Sequence, residues 1–335
     1  MTEERALIEV VVDDGVDNIV GTGIEPVEHP HALDAGVIKG IPLALAAVFC
    51  FAIMDTMAKY LGKFYPVLAL VWARYTVHML IMLAWLGPSM KFDLVRTSRP
   101  WLQILRGLFL VGSTCFFFQA LRFMPMAEAS AIGFVTPLLV TLFAVPILKE
   151  KISRRRWIAV IIGFIGVMII IRPGSRVFSP AALLPLCTAV CFSLYQIITR
   201  KVHQENPRTS LFYSALVGSL ALTVVLVISH FIFPVTYYAP TAWHGVLILL
   251  LGVIGGVGHF VLIRALRKAP ASVLAPFYYT QLVWIILFGY AFFGDFPDNW
   301  TLLGIIVIVG SGLYVAYGER VHFRKVTRTS AKLGY

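Results

Sequence analysis

The sequence predicts an all-α polytopic membrane protein: ten transmembrane helices arranged as two five-helix repeats of opposite orientation. Three observations predict it. Apolar residues make up 59% of the 335-residue chain and charged residues only 13%, against roughly 45–50% and 25% in a soluble domain. The apolar residues gather into windows of about 20 residues, the length a helix needs to cross a bilayer. The pattern Ala-Leu-Arg-x-x-Pro occurs at 120–125 and again at 265–270, 145 positions apart.

The spans follow in order. Span 1 (about 40–61) comes after residues 1–38, which hold nine acidic residues and one arginine, Arg5. That segment reads as a disordered acidic cytoplasmic tail; it lacks the basic region and short apolar core of a cleavable signal. Span 2 (about 66–86) starts at Pro66, whose missing N–H costs nothing in a first helical turn. Span 3 (about 101–121) ends on the first Ala-Leu-Arg, and span 4 (about 125–148) starts at Pro125 and is interrupted at Gly133 and Pro137. Span 5 (about 156–172) stops at Pro173-Gly174, and span 6 (about 181–201) closes on Arg200-Lys201. Span 7 (about 208–232) follows Pro207, and span 8 (about 242–264) carries Gly252, Gly255, Gly256 and Gly258. Span 9 (about 270–293) starts at Pro270 and is interrupted by Pro276. Span 10 (about 300–318) precedes a basic tail at 320–335.

Lysine and arginine in the short loops set orientation. With the N-terminus inside, 19 basic residues fall on the inner side: Lys91, Arg96, Arg99, Lys149, Lys151, Arg154, Arg155, Arg156, Arg200, Lys201, Arg208, Arg264, Arg267, Lys268, Arg320, Arg324, Lys325, Arg328 and Lys332. Four fall outside: Lys63, Arg122, Arg172 and Arg176. Both termini are therefore expected in the cytoplasm, in the inner (plasma) membrane of a bacterial-type cell. The net charge of +11 is accounted for by these loops and tails rather than by a nucleic-acid surface.

A shift of 145 aligns Gly107 with Gly252, Ala120-Leu121-Arg122 with Ala265-Leu266-Arg267, Pro125 with Pro270 and Glu150 with Asp295. A shift of 141 aligns Cys50-Phe51 with Cys191-Phe192, Lys59 with Arg200 and Pro66 with Pro207. Residues 39–173 and 174–319 thus read as two copies of one unit. Five spans per copy is an odd number, so the second copy enters from the opposite face, the construction of alternating-access carriers.

Three stretches also resemble a known family: FAIMDTMAKYLGK, residues 97–174 (TSRPWLQILRG through MIIIRPG) and APASVLAPFYYTQLVWIILFGYAFFGDFPDNWTLLGIIVIVGSGLYV. The chain resembles the drug/metabolite transporter superfamily, specifically the EamA-type ten-helix carriers, over residues 40–318. The resemblance implies transport of a small metabolite, with spans 1–4 and 6–9 around the cavity and spans 5 and 10 outside it. Such carriers move riboflavin, S-adenosylmethionine, amino acids or metallophores, which leaves the cargo open.

An ionisable group at bilayer depth costs about 2.5–3.5 kcal/mol and calls for a reason. Asp55 lies about 9 Å from the outer end of span 1 and Arg74 about 12 Å from that of span 2, so an Asp55–Arg74 ion pair is expected. Lys59, one turn beyond Asp55, is a competing partner. The repeat places neutral Gln196 and Ala215 at the matching positions, an asymmetry that symmetric packing does not need. His78, about 18 Å deep, suits a proton relay or a plain buried hydrogen bond, as does His259. Glu128 sits in a first helical turn, where the helix dipole favours a carboxylate. Arg106 is expected to snorkel to the headgroups. Tyr278, Gln281 and Trp284 beside the broken helix of span 9 are expected to line the cavity, with Trp72, Gln119, Tyr195 and Gln196 as further candidates.

The glycines at 252–258 follow no strand, so they read as a close-packing face rather than a dinucleotide loop. Cys50, Cys115, Cys187 and Cys191 lack metal-ligand spacing, and no nucleotide-binding signature is present, so no cofactor is expected. The expected partners are a small-molecule cargo and the lipid bilayer, and the sequence is compatible with a homodimer. The function expected is secondary transport by alternating access, driven by a substrate or proton gradient. An intramembrane enzyme acting on a lipid-linked substrate is the alternative, with Asp55, His78 and Glu128 its nearest approach to a catalytic cluster.

Overall fold

The computed structural model describes residues 32–149, 154–173, 179–202, 204–232, 239–269, 274 and 277–332. The acidic segment up to residue 31, Glu150, Gly174, Pro270 and Pro276 lie outside the described residues. Among the described residues every regular element is a helix: α1 (Ala32–Leu61), α2 (Val67–Met90), α3 (Pro100–Phe123), α4 (Met126–Gly133), α5 (Thr136–Leu148), α6 (Arg154–Ile171), α7 (Leu183–Lys201), α8 (Pro207–Ile232), α9 (Ala242–Lys268), α10 (Thr280–Phe293) and α11 (Asn299–Lys332). Among the described residues seven stretches are long and apolar enough to cross a bilayer, and three shorter apolar helices, Trp157–Ile171, Thr280–Phe293 and Asn299–Tyr314, complete the ten expected.

Prolines open helices where the sequence predicted. Pro66 caps α2, Pro125 caps α4 and Pro207 is the first residue of α8. The repeated Ala-Leu-Arg motif now has a structural meaning. Met124 and Ala269 end α3 and α9 in the same extended conformation, with φ −145° in both, and their N–H groups bond the carbonyls of Ala120 and Ala265. Both alanines are fully buried, so a larger residue at either would have no room.

Span 4 is broken as expected: α4 ends at Gly133 and α5 begins at Thr136, across a turn at Phe134 and Val135. In span 9, α10 begins at Thr280 after a turn at Tyr279. The Thr136 hydroxyl donates to the Gly133 carbonyl at 2.7 Å and the Thr280 hydroxyl to that of Phe277 at 2.6 Å. Each satisfies an acceptor freed by the break, a necessity where water is absent. Phe134 and Tyr279, 145 positions apart, meet with ring centroids 5.2 Å apart, which puts the two breaks face to face.

The packing repeats too. α1 packs on α9 as its counterpart α7 packs on α3; α9 packs on α2 as α3 packs on α8; α10 packs on α1 as α5 packs on α7. α2 meets its own counterpart α8, α4 meets α10, and α6 meets α11. The halves are therefore interlocked about a pseudo-two-fold axis rather than standing side by side. α9 lies between α1 and α2, packing on both. α6 and α11 join along glycines: a Cβ added to Gly166 would lie 3.1 Å from the Gly304 carbonyl oxygen, and one on Gly304 2.8 Å from that of Gly166. Ile158, Ile161, Ile165 and Met168 on α6 and Ile306 on α11 stand exposed, an apolar rim suited to hydrocarbon.

Candidate functional site

Buried polar groups concentrate where α2, α3 and α9 meet. Arg74 is 5% exposed and carries a permanent charge. Its Nη1 donates to Thr114 Oγ1 at 2.9 Å. That hydroxyl donates in turn to the Leu110 carbonyl at 3.0 Å, and the Tyr75 hydroxyl lies 2.9 Å from it. Arg74 Nη2 lies 3.4 Å from His259 Nε2, a hydrogen bond only in the tautomer that leaves Nε2 unprotonated. The Tyr75 and Phe118 rings flank the guanidinium at 4.9 and 5.9 Å. His78, 6% exposed, lies parallel to His259, with ring centroids 6.4 Å apart.

The glycine face of α9 makes this arrangement fit. A Cβ on Gly255 would lie 3.0 Å from Arg74 Nε and 3.2 Å from Met54 Sδ, and one on Gly256 3.0 Å from His78 Cδ2. The glycines expected to let helices approach therefore also house Arg74 and His78 of α2.

Asp55 is 3% exposed and accepts a hydrogen bond from Gln281 Nε2 at 3.3 Å. The expected Asp55–Arg74 ion pair is absent among the described residues. The reason is topological: α9 separates α1 from α2, and the guanidinium turns toward α3 and α9 instead. The two charges remain within electrostatic range of each other. Lys59 does not compete for Asp55 either. It bonds Asp295 at 2.7 Å and the Met124 carbonyl at 3.1 Å.

The remaining predicted residues divide. Gln281 joins Asp55, whereas Tyr278 packs with Ala44, Ala265, Ala269 and Leu274, its buried hydroxyl unpartnered among the described residues. The Trp284 ring meets Phe49 edge-on at 4.9 Å and lies 6.1 Å from Phe288. Gln119 and Gln196 are half-buried, and Trp72 donates to Thr223 at 2.8 Å. Glu128 occupies the first turn of α4, within electrostatic range of Asp298, Arg172, Asp295 and Lys59.

Arg106 corrects an expectation. It does not snorkel; it is 4% exposed. Its Nε donates to Thr199 at 2.8 Å, Nη1 to the Ser210 carbonyl at 2.6 Å and to Gln103 at 3.3 Å, and Nη2 to Tyr195 at 3.1 Å. These acceptors lie on α3, α7 and α8, so the charge is drawn inward by three helices before it can reach the surface. Thr114, Tyr75 and the Gln103–Ser210 pair were missed by sequence reasoning. Their signal was faint: isolated hydroxyls and amides inside apolar runs, such as Ser113-Thr114 within LFLVGSTCFFF.

Both ends of the bundle carry ties between the halves. At the end away from the termini, Lys59 and Arg172 reach Asp295 and Asp298, and Tyr65 meets His244 at 2.9 Å. At the other end the Ser98 hydroxyl and amide donate to Glu205, holding its carboxyl below the usual carboxylate range. Arg99 donates there to the Lys201 carbonyl at 3.1 Å and Tyr213 to that of Val95 at 2.9 Å.

Known proteins are similar to this chain in sequence and in fold. An S-adenosylmethionine uptake transporter of Rickettsia prowazekii (strain Madrid E) is 29% identical over 284 residues, covering 84% of this chain and 94% of the relative. One from Rickettsia bellii (strain RML369-C) is 30% identical over 282 residues, with the same coverage. A riboflavin transporter of Vibrio cholerae serotype O1 is 26% identical over 292 residues, covering 86% and 96%. A crystal structure 18% identical in sequence superposes with a TM-score of 0.58 over 84% of this chain and 98% of its own, a likeness of fold. The EamA-like transporter family matches residues 38–172 and, a second time, residues 179–317. The chain is a multi-pass membrane protein of the EamA-like transporter family, a transporter rather than an enzyme.

Proposed function

We propose that this chain is a secondary carrier that moves a small organic metabolite across the inner membrane by alternating access, with both termini in the cytoplasm. The observation that carries the reading is the interlocked pair of repeats with buried, incompletely partnered polar groups between them. Rocking one half against the other breaks the ties at one end while those at the other hold. The Lys59–Asp295 and Arg172–Asp298 pairs close one end, and the Ser98–Glu205 and Arg99–Lys201 contacts close the other. The basic bias of the loops on the terminal side supports the orientation.

Asp55, Arg74, His78 and Gln281 form the recognition and coupling site in this reading, with His259 and Thr114 beside them. S-adenosylmethionine and riboflavin, the cargoes named for relatives, are the first cargoes to test. Uptake into proteoliposomes, with and without an imposed pH gradient, tests the proposal. Accumulation of one of them above protein-free vesicles supports it. Chemical conversion of the supplied compound, or termini on opposite faces, contradicts it. Asp55→Asn is expected to insert normally and to change the rate or pH profile of uptake. Unchanged flux with an unchanged profile removes Asp55 from the site.

A further inference from the structure

We infer that the cargo is a zwitterionic metabolite whose anionic group meets Arg74 and whose cationic group meets Asp55. The inference rests on the transport reading above and names the chemistry of the same site.

Arg74 and Asp55 are both almost fully buried, and neither has an ion-pair partner among the described residues. Of the five N–H donors of Arg74, one bonds Thr114 and one makes a long contact to His259. Asp55 accepts a bond of 3.3 Å from Gln281, long for a charged acceptor. Burying a charge without a counter-charge or full hydrogen bonding is costly. Contact between the two would relieve both, yet α9 packs on both of their helices and no ion pair joins them.

The chain can satisfy a buried arginine from its own residues, because Arg106 is engaged by Thr199, Ser210, Gln103 and Tyr195. Arg74 is left short by comparison. The repeat offers no structural reason, since Gln196 and Ala215 stand at the positions matching Asp55 and Arg74. A neutral cargo would leave the two charges with only each other's longer-range attraction. An anion would relieve Arg74 and strand Asp55, and a cation would do the reverse. A molecule carrying both signs relieves both in one occupancy, and so satisfies most completely the burial that the fold imposes.

The test uses the full chain in proteoliposomes and a panel of matched charge forms. Methionine and tryptophan are compared with their methyl esters and their N-acetyl derivatives, and S-adenosylmethionine with its decarboxylated form; riboflavin represents neutral cargo. The expected result is uptake of at least one zwitterion, lowered at least about tenfold when either group is blocked, a difference of about 1.4 kcal/mol. Arg74→Gln should then lose discrimination against the missing carboxylate, Asp55→Asn discrimination against the blocked amine, and Arg74→Lys should keep part of it. Size-exclusion profiles establish that the variants are folded. If the best cargo is uncharged or carries charge of one sign only, or if blocking either group changes nothing, the zwitterion inference is overturned and transport stands. If nothing on the panel moves, the transport reading fails and takes the inference with it.

Discussion

Two buried arginines in this bundle have opposite fates. Arg106 is 4% exposed and Arg74 5%, and both sit on spans of the first half. Arg106 spends its donors on Thr199, Ser210, Gln103 and Tyr195 from three helices. Arg74 has Thr114, a long contact to His259 and two aromatic rings. Equal burial therefore does not mean equal role. Arg106 ties three helices together, whereas Arg74 keeps donor capacity that, in the proposed reading, the cargo takes up.

Exchanging the roles should separate them most sharply. Arg106→Met strands acceptors on three helices and is expected to lower stability by about 2–3 kcal/mol, the scale of hydrogen bonds to a charged group. The readout is the unfolding midpoint and yield of detergent-purified protein. Arg74→Met removes an unpaired buried charge and is expected to leave that midpoint unchanged or raised, while uptake falls about tenfold or more, at least 1.4 kcal/mol. A collapse of stability in the Arg74 variant would erase the distinction.

Thr114→Val tests the positioning of Arg74 with little change of shape. Loss of its bond to Arg74, along with its contacts to the Leu110 carbonyl and Tyr75, costs at least about 1 kcal/mol and should raise the half-saturation concentration for uptake about fivefold or more without changing expression. Gly255→Ala pushes a methyl group to 3.0 Å from Arg74 Nε and is expected to slow uptake about threefold, roughly 0.6 kcal/mol. Gly87→Ala on the same scale of change should do nothing, because no atom lies within 4 Å of the added Cβ.

A small effect on stability is expected outside the membrane, at the Arg172–Asp298 pair. Burial raises the Asp298 carboxyl, but bonds from Thr301 and Arg172 outweigh it and hold the group below the usual range. A depressed carboxylate stabilises the fold above its unfolded pKa and loses that contribution as pH falls through the folded value. Asp298→Asn should therefore flatten the acid side of the stability profile only slightly, since Asp298 is half-exposed and the pair is screened. An effect at neutral pH as large as that of Arg106→Met would contradict this ranking.

The local architecture was legible in the sequence because local rules produce it. Proline placement gave the starts of α2, α4 and α8, and the repeated Ala-Leu-Arg gave the matched ends at Met124 and Ala269. The break in span 4 at Gly133 and Pro137 was visible in the same way. The site was legible only in part. Asp55, Arg74, His78 and Gln281 stood out as polar residues in apolar runs, but their partners did not. Arg74 bonds Thr114 and His259, 40 and 185 residues away, and no periodicity encodes such distances. The expected Asp55–Arg74 pair does not form because consecutive helices, usually neighbours, are here separated by α9 through the interlocking of the halves. Arg106 failed for a related reason: its depth is readable from helical rise, but three of its four acceptors, Thr199, Tyr195 and Ser210, come from the other half.

The most direct test of the account is binding of the transported metabolite to purified wild type and to Arg74→Met, at matched unfolding midpoints. The account predicts affinity about tenfold or more weaker in the variant, with the midpoint of the cargo-free protein intact. Equal affinity in the two proteins would show that Arg74 is a structural cation like Arg106, and the site would have to be sought elsewhere between the repeats.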